Sequence, residues 1–215
     1  MNVFENDAAA RNYDAYYETQ FGKAIDCLEK KAIQQYLEKI PPQPMLELGC
    51  GTGHWTEFFS KSGFHVTATD ISDAMLSFAN IRKIDRVLYQ KVDAVDLPFP
   101  DQSFGVIATI TMLEFISDRS RVFQEIYRVL KSGGWLLVGS LNANSELGKT
   151  KDKHKALRHA SFLTVSELER FLSRFGLPKI NQCAYVTSTL DILDGTPEQR
   201  CVEGAFIAAC VQKIR

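Results

Sequence analysis

Three glycines alternate at Gly49, Gly51 and Gly53, immediately behind the apolar run Met45 to Leu48 and immediately before Trp55. Glycine has no Cβ, so its backbone can take positive φ and a ligand can lie directly on the main chain. A turn of this kind between a strand and a helix is a nucleotide-like ligand site. The order is G-x-G-x-G. A dinucleotide fold shows G-x-G-x-x-G, whose third glycine opens a helix that receives a pyrophosphate. Glu47, two residues before the first glycine, is a second difference. A carboxylate there repels a pyrophosphate but can pair with the ammonium group of an amino-acid moiety, directly or through water.

Two further segments complete the constellation. Val66-Thr67-Ala68-Thr69 leads into Asp70, whose carboxylate can accept hydrogen bonds from both hydroxyls of a ribose, with Ile71 and Met75 following as candidates to lie against an adenine face. Asp93, Ala94 and Val95 follow the run Val87 to Val92. Asp93 can accept from the adenine amino group and the Ala94 amide can donate to a ring nitrogen. Each piece alone has an ordinary explanation, Asp70 as a helix cap and Asp93 as a turn residue. Their joint placement at the C-terminal ends of three successive strands, where open α/β sheets bind ligands, argues for S-adenosylmethionine (SAM). SAM carries an amino acid and a sulfonium, and no phosphate.

The elements that must hold these residues are legible in the periodicity. Between Gly22 and Ile40, Ile25, Leu28, Ala32, Ile33, Tyr36 and Leu37 recur at three- and four-residue steps, which predicts a helix stopped by Pro41 and Pro42. Short apolar runs at 45–48, 65–69, 87–92, 106–110 and 135–140 read as central strands. Helices are predicted between them at 55–62, at 73–81, and at 120–130 with Gly133 and Gly134 as its C-cap. Alternation of this kind needs crossover connections and so a mainly parallel sheet covered on both faces. The fold class is α/β, Rossmann-like and doubly wound. Residues 142–161 are polar and rich in Lys and His, which predicts a loop or an exposed helix; Thr164 with Glu167 forms a capping-box pattern before a helix running to Gly176; β-rich runs at 180–190 and 205–211 close the chain.

At this point the sequence resembles the class I SAM-dependent methyltransferases, in particular the small-molecule branch typified by ubiquinone and menaquinone biosynthesis C-methyltransferases. The landmarks are Leu46-Glu47-Leu48-Gly49-Cys50-Gly51-Thr52-Gly53, Asp70-Ile71-Ser72, Asp96-Leu97-Pro98-Phe99 with Ser103-Phe104, and Arg128-Val129-Leu130-Lys131-Ser132-Gly133-Gly134. The resemblance implies a seven-stranded sheet with an antiparallel last strand, in one domain over 1–215. Within it, 1–43 would be a helical lid, 44–141 the SAM-binding core, and 142–215 a substrate-side loop with the last two strands. It implies that Glu47, Gly49, Cys50, Gly51 and Gly53 hold the methionine part of SAM, that Asp70 holds the ribose, and that Asp93, Ala94 and Val95 hold the adenine. Thr109, Ile110, Thr111 and Met112 would border the sulfonium, and Tyr13 and Tyr17 would meet the substrate. Two departures stand out: Gly105 occupies a position usually held by aspartate, and Glu114-Phe115 replaces a pair that is often histidine-rich.

Methyl transfer from a sulfonium is an in-line displacement activated by the cofactor, which leaves S-adenosylhomocysteine (SAH), so the protein mainly positions the acceptor and excludes water. Where the acceptor must lose a proton, Tyr17, His54, Glu114 and His159 are the candidate bases. The N-terminal rings Tyr13, Tyr16, Tyr17 and Phe21 read either as a lid or as an amphipathic helix packed on the domain. Basic and acidic residues nearly cancel, 25 against 26, so no global field attracts a polyanion. The Asn-Pro-Pro-Tyr signature of many nucleic-acid amine methylases is replaced by Thr111-Met112-Leu113-Glu114. A small-molecule acceptor is therefore expected in preference to nucleic acid, and the basic stretch Lys149 to Arg158 reads as a solvated loop. Five scattered cysteines without a CxxC predict buried free thiols and no metal site. The absence of an apolar leader or membrane span predicts a cytoplasmic protein. The competing functions are a non-catalytic SAM-binding protein and an NAD-dependent oxidoreductase on a related fold.

Overall fold

The computed structural model describes residues 4–154, 157–187, 189, 191–193 and 202–214. In chain order the elements are α1 (Asp7–Glu18), α2 (Gln20–Leu37), β1 (Pro44–Leu48), α3 (His54–Lys61), β2 (His65–Asp70), α4 (Asp73–Ile81), β3 (Val87–Lys91) and β4 (Phe104–Ile110). They continue as α5 (Arg119–Val129), β5 (Leu130–Leu141), α6 (Glu146–Thr150), α7 (Val165–Leu172), β6 (Lys179–Cys183) and β7 (Phe206–Gln212). The strands form one sheet in the order β3-β2-β1-β4-β5-β7-β6. β1 to β5 pair in parallel, and β7 runs antiparallel to both β5 and β6. The order reverses between β1 and β4, which opens a crevice above their C-terminal ends.

Alternation along the strands builds two core layers. Met45 of β1 joins Ile33, Tyr36, Trp55, Phe59 and Phe206 on the side covered by α2 and α3. Leu46 and Leu48 join Phe123, Ile126, Leu168 and Leu172 on the side covered by α5 and α7. By the same alternation Glu47 faces the α2 and α3 layer. Arg128 explains why α5 carries a guanidinium opposite the Leu97-Pro98-Phe99 segment: it donates to the Leu97 and Phe99 carbonyls at 2.8 and 2.7 Å and to Asp101 at 2.9 Å. The Leu97 amide in turn donates to Glu125.

Several expectations change in detail. Gly133 and Gly134 do not cap the helix; α5 ends at Val129, Leu130 is already extended, and the glycines lie inside β5, where the register slips between the Phe104 and Val106 pairings. β4 accordingly starts at Phe104 and includes Gly105, whose Cβ would fall 1.8 Å from Gln43 Oε1, so an aspartate there would require Gln43 to move. The run expected over 180–190 is a strand only to Cys183, because Ala184 takes φ +55 and turns the chain; Ser188 and Leu190 lie outside the described residues. The capping box at Thr164 and Glu167 forms as read from the sequence. The polar stretch folds as α6 and a 3-10 turn at Lys151–Lys153, with Lys149 and Lys151 paired to Glu146 and Asp152; Lys155 lies outside the described residues.

α1 and α2 are divided at Thr19, which is extended and caps α2 by accepting from the Gly22 amide. A Cβ at Gly22 would fall 2.0 Å from the Tyr16 carbonyl, so glycine permits the two helices to fold against each other. Among the described residues no helix is long and apolar enough to cross a membrane. Cys50 and Cys210 are buried free thiols, whereas Cys27 is exposed, contrary to the reading that all five are buried; Cys201 lies outside the described residues.

Candidate functional site

The glycine loop folds as its composition requires. Gly49, Gly51 and Gly53 all take left-handed φ, at 72°, 54° and 84°, and the Gly49 and Cys50 amides donate to the Thr69 carbonyl at 2.8 and 2.9 Å. Gly53 is the N-cap of α3. A Cβ on Gly49 would fall 2.3 Å from Met112 Cγ, so that glycine lets the segment after β4 pack onto the loop. A Cβ on Gly51 would meet only the Tyr13 ring, at 3.7 Å.

Asp70 binds the first two pieces together. Its Oδ2 accepts from the Gly51 amide and its Oδ1 from the Ser72 amide, both at 2.9 Å. Burial raises its pKa and these backbone donors oppose the rise. Each oxygen keeps a free lone pair, so the carboxylate can still accept from two hydroxyls. Beside it Ile71 is 49% exposed, while Met75 is buried in α4. Ile71 thus offers an apolar surface at the crevice. In the third piece Asp93 is exposed and accepts from the Val95 amide at 3.1 Å, with Ala94 and Val95 half-buried behind it.

At the end of β4, Thr109 and Ile110 are buried, and Thr111 takes φ +49 while its amide donates to the Gly139 carbonyl. Glu47 is buried and accepts from Thr56 Oγ1 at 2.6 Å. Burial pushes its pKa up to about 8. The carboxylate therefore holds a proton near neutral pH until a cation arrives to favour its charge. This state was not apparent from the sequence, because the spacing of the motif fixes where Glu47 lies but not how dry its surroundings are.

α1 closes over these loops. Asp14 accepts from Thr52 Oγ1 at 2.5 Å and from Arg82 at 2.9 Å, and Arg82 Nε also donates to the Thr52 carbonyl. Just before the helix, the Phe4 carbonyl accepts from Ser72 Oγ, and the Phe4 ring meets Phe115 edge-on at 4.8 Å. The Tyr13 hydroxyl lies 3.1 Å from that of Tyr17, and Tyr17 stacks on His54 at 3.7 Å. His54 Nε2 is 2.8 Å from Asp26 and 2.9 Å from Lys30. Burial works against the charge of Asp26, but hydrogen bonds from His54 and Lys30 hold its pKa below the usual range. The helix thus packs its rings on the domain beside the glycine loop.

Of the four candidate bases, Tyr17 belongs to α1 and stacks on His54, whereas Glu114 sits in the turn after β4. His159 is exposed on the polar insertion, where it accepts from Arg158. Glu114 is 1% exposed; its Oε1 accepts from Ser140 Oγ and the Leu141 amide, and its Oε2 has no hydrogen-bond partner among the described residues. Burial raises its pKa. Sequence reasoning missed Glu29. This residue of α2 is 7% exposed and is pushed up to about 8, first by burial and then by the charges of Asp26 and Glu114. The signal was present: Glu29 lies four residues from both Ile25 and Ile33, on the apolar stripe of its own helix.

Crevice, glycine loop and ribose-type carboxylate together define a nucleoside-binding α/β protein. A model of the family described as methyltransferase domain matches residues 46–138. The chain is 32% identical over 220 residues to an uncharacterised protein of Methanocaldococcus jannaschii, with full coverage of both. It is 38% identical over 144 residues to the ubiquinone/menaquinone biosynthesis C-methyltransferase of Vibrio parahaemolyticus, covering 63% of this chain and 54% of that one. Apart from the full-length M. jannaschii match, the chain spans about half the length of the curated relatives it matches. Among solved structures, a SAM-dependent methyltransferase of Thermotoga maritima, described as a possible histamine N-methyltransferase, superposes with a TM-score of 0.73 at 25% identity. That match covers 96% of this chain and 97% of that one. The chain belongs to the SAM-dependent methyltransferases.

Proposed function

We propose that this protein transfers the methyl group of SAM to a small-molecule acceptor held beneath α1. The observation that carries the reading is the bond between Asp70 and the Gly51 amide. It sets a two-oxygen acceptor beside Gly51, where among the described residues a Cβ would meet only the Tyr13 ring. The residues fit the cofactor: the glycine loop for the methionine part, Asp70 for the ribose, Ile71 with Asp93, Ala94 and Val95 for the adenine. Thr111 and Met112 lie toward the reacting end. Glu47 supports the amino-acid end, since an ammonium group nearby would draw out its charge.

Bound SAM supplies an already activated methyl group. The chain's own work is to bind, to orient and to keep water out. Tyr13 and Tyr17 wall the acceptor side, and α1, fastened by Asp14 and Phe4, covers it. In this division residues 1–43 serve as the lid, 44–141 as the cofactor-binding core and 142–215 as the substrate-side part of one domain. The free cysteines agree with a reducing compartment such as the cytoplasm.

Calorimetric titration tests the reading. SAM and SAH should bind with micromolar affinity, NADH should not compete, and Asp70→Ala should weaken SAH by about tenfold or more, because it removes the ribose acceptor. Wild-type protein that gives no heat with either SAM or SAH would overturn the proposal.

A further inference from the structure

We propose that Glu29 and Glu114 line the methyl-acceptor pocket and that the acceptor is a small amine, bound as a cation, so that nitrogen receives the methyl group. The inference rests on the methyltransferase reading above and narrows it. Two carboxyls from separate elements, α2 and the turn after β4, are buried within electrostatic reach of each other, and Glu29 also acts on the Tyr13 and Tyr17 hydroxyls of α1. The Glu114 carboxylate is held in place through Oε1 by Ser140 and Leu141, which leaves Oε2 buried without a partner. A buried carboxyl oxygen without a partner among the described residues is costly unless a ligand completes it.

The neighbouring cations do not complete it. Lys30 is taken by Asp26 and lies against His54, and Arg119 donates to the Leu113 and Ser161 carbonyls. An anionic acceptor, a phenolate or a carboxylate, would keep both groups protonated and gain no ion pair from them. An ammonium ion would draw out the charge of both carboxyls and so meet two acceptors. Tyr13 joins the two halves of the site: a Cβ on Gly51 would meet its ring on the cofactor side, and its hydroxyl feels the charges of both Glu47 and Glu29.

The chemistry balances with the groups named. The bound ammonium favours the charged form of Glu29, whose own proton goes to solvent, and the ammonium then gives one proton to that carboxylate. The freed nitrogen lone pair forms the bond to the methyl carbon as the carbon–sulfur bond breaks, and that bonding pair stays on sulfur as a neutral thioether. The new methylammonium leaves, and Glu29 is again protonated, as at the start.

The test uses full-length protein saturated with SAH, titrated by calorimetry with benzylamine and propylamine against benzoate, benzyl alcohol and propionate. At least one amine should bind at least about tenfold more tightly than its acid or alcohol counterpart. Glu29→Gln and Glu114→Gln should each weaken that amine by about tenfold or more while SAH affinity stays within about twofold. Absence of binding by both amines, equal binding of amine and acid, or unchanged amine affinity in both variants overturns the inference while leaving the methyltransferase reading intact. Failure of SAH itself to bind instead removes the reading on which it rests.

Discussion

Gly49 and Gly51 share a left-handed backbone yet serve different neighbours, and alanine substitution should separate them. At Gly49 the new methyl would strike Met112, so Gly49→Ala should lower stability by about 2–4 kcal/mol in urea denaturation. At Gly51 only Tyr13 is near, so Gly51→Ala should cost about 1–2 kcal/mol from backbone strain while SAH affinity falls more than about tenfold. Equal losses of stability would sink the distinction. The buried acids make a second prediction at this scale. Glu47 and Glu29 have folded values near 8, above the ordinary 4.5, so the native state holds their protons more tightly than the unfolded chain. Their contribution to stability is fully present below the ordinary carboxylate value and is lost as pH rises from there through about 8. Melting curves of the ligand-free protein should therefore fall between pH 5 and 8. Glu47→Gln, which can still accept from Thr56, should flatten that slope and gain on the order of 1–3 kcal/mol at the alkaline end. Parallel wild-type and variant curves would refute it.

Among the elements, those whose apolar residues repeat were legible in the sequence: the five parallel strands, α3 to α5, α2 and the capped α7. Where local chemistry competes with a tertiary demand, the pattern misled. Gly133 and Gly134 looked like a helix stop because glycine serves both C-caps and strand irregularities, and only the pairing of β4 with β5 decides between them. Ala184 carries no turn signal of its own, so the early end of β6 was invisible. Within the site, the loop residues could be named from spacing, but Glu29 could not be weighed until α2 was seen to turn that face inward. The role of α1 also needed coordinates, since its polar anchors reach residues far along the chain. Asp14→Ala should free the helix from Thr52 and Arg82, raising hydrogen exchange over residues 7–18 while leaving β1 and β4 protected. Uniform exchange across both would show that α1 is not separately fastened.

For the molecule as a whole, the reversal of strand order sets the site before any side chain is chosen. β1 and β4 lie side by side, and the chain leaves their C-terminal ends in opposite directions, so the crevice falls between the two departing loops. The near-zero net charge lends no long-range pull, so discrimination must come from the interior, where a few dry carboxylates act over short distances. The Tyr13 ring faces the glycine loop at Gly51, and its hydroxyl feels the charges of Glu29 and Glu47. Under the proposed function, a guest on one side limits how far that ring can swing toward the other. Turnover would then pass through a ternary complex with a compulsory sequence of entry, and steady-state velocities plotted as double reciprocals would intersect, as they do not in a double-displacement scheme.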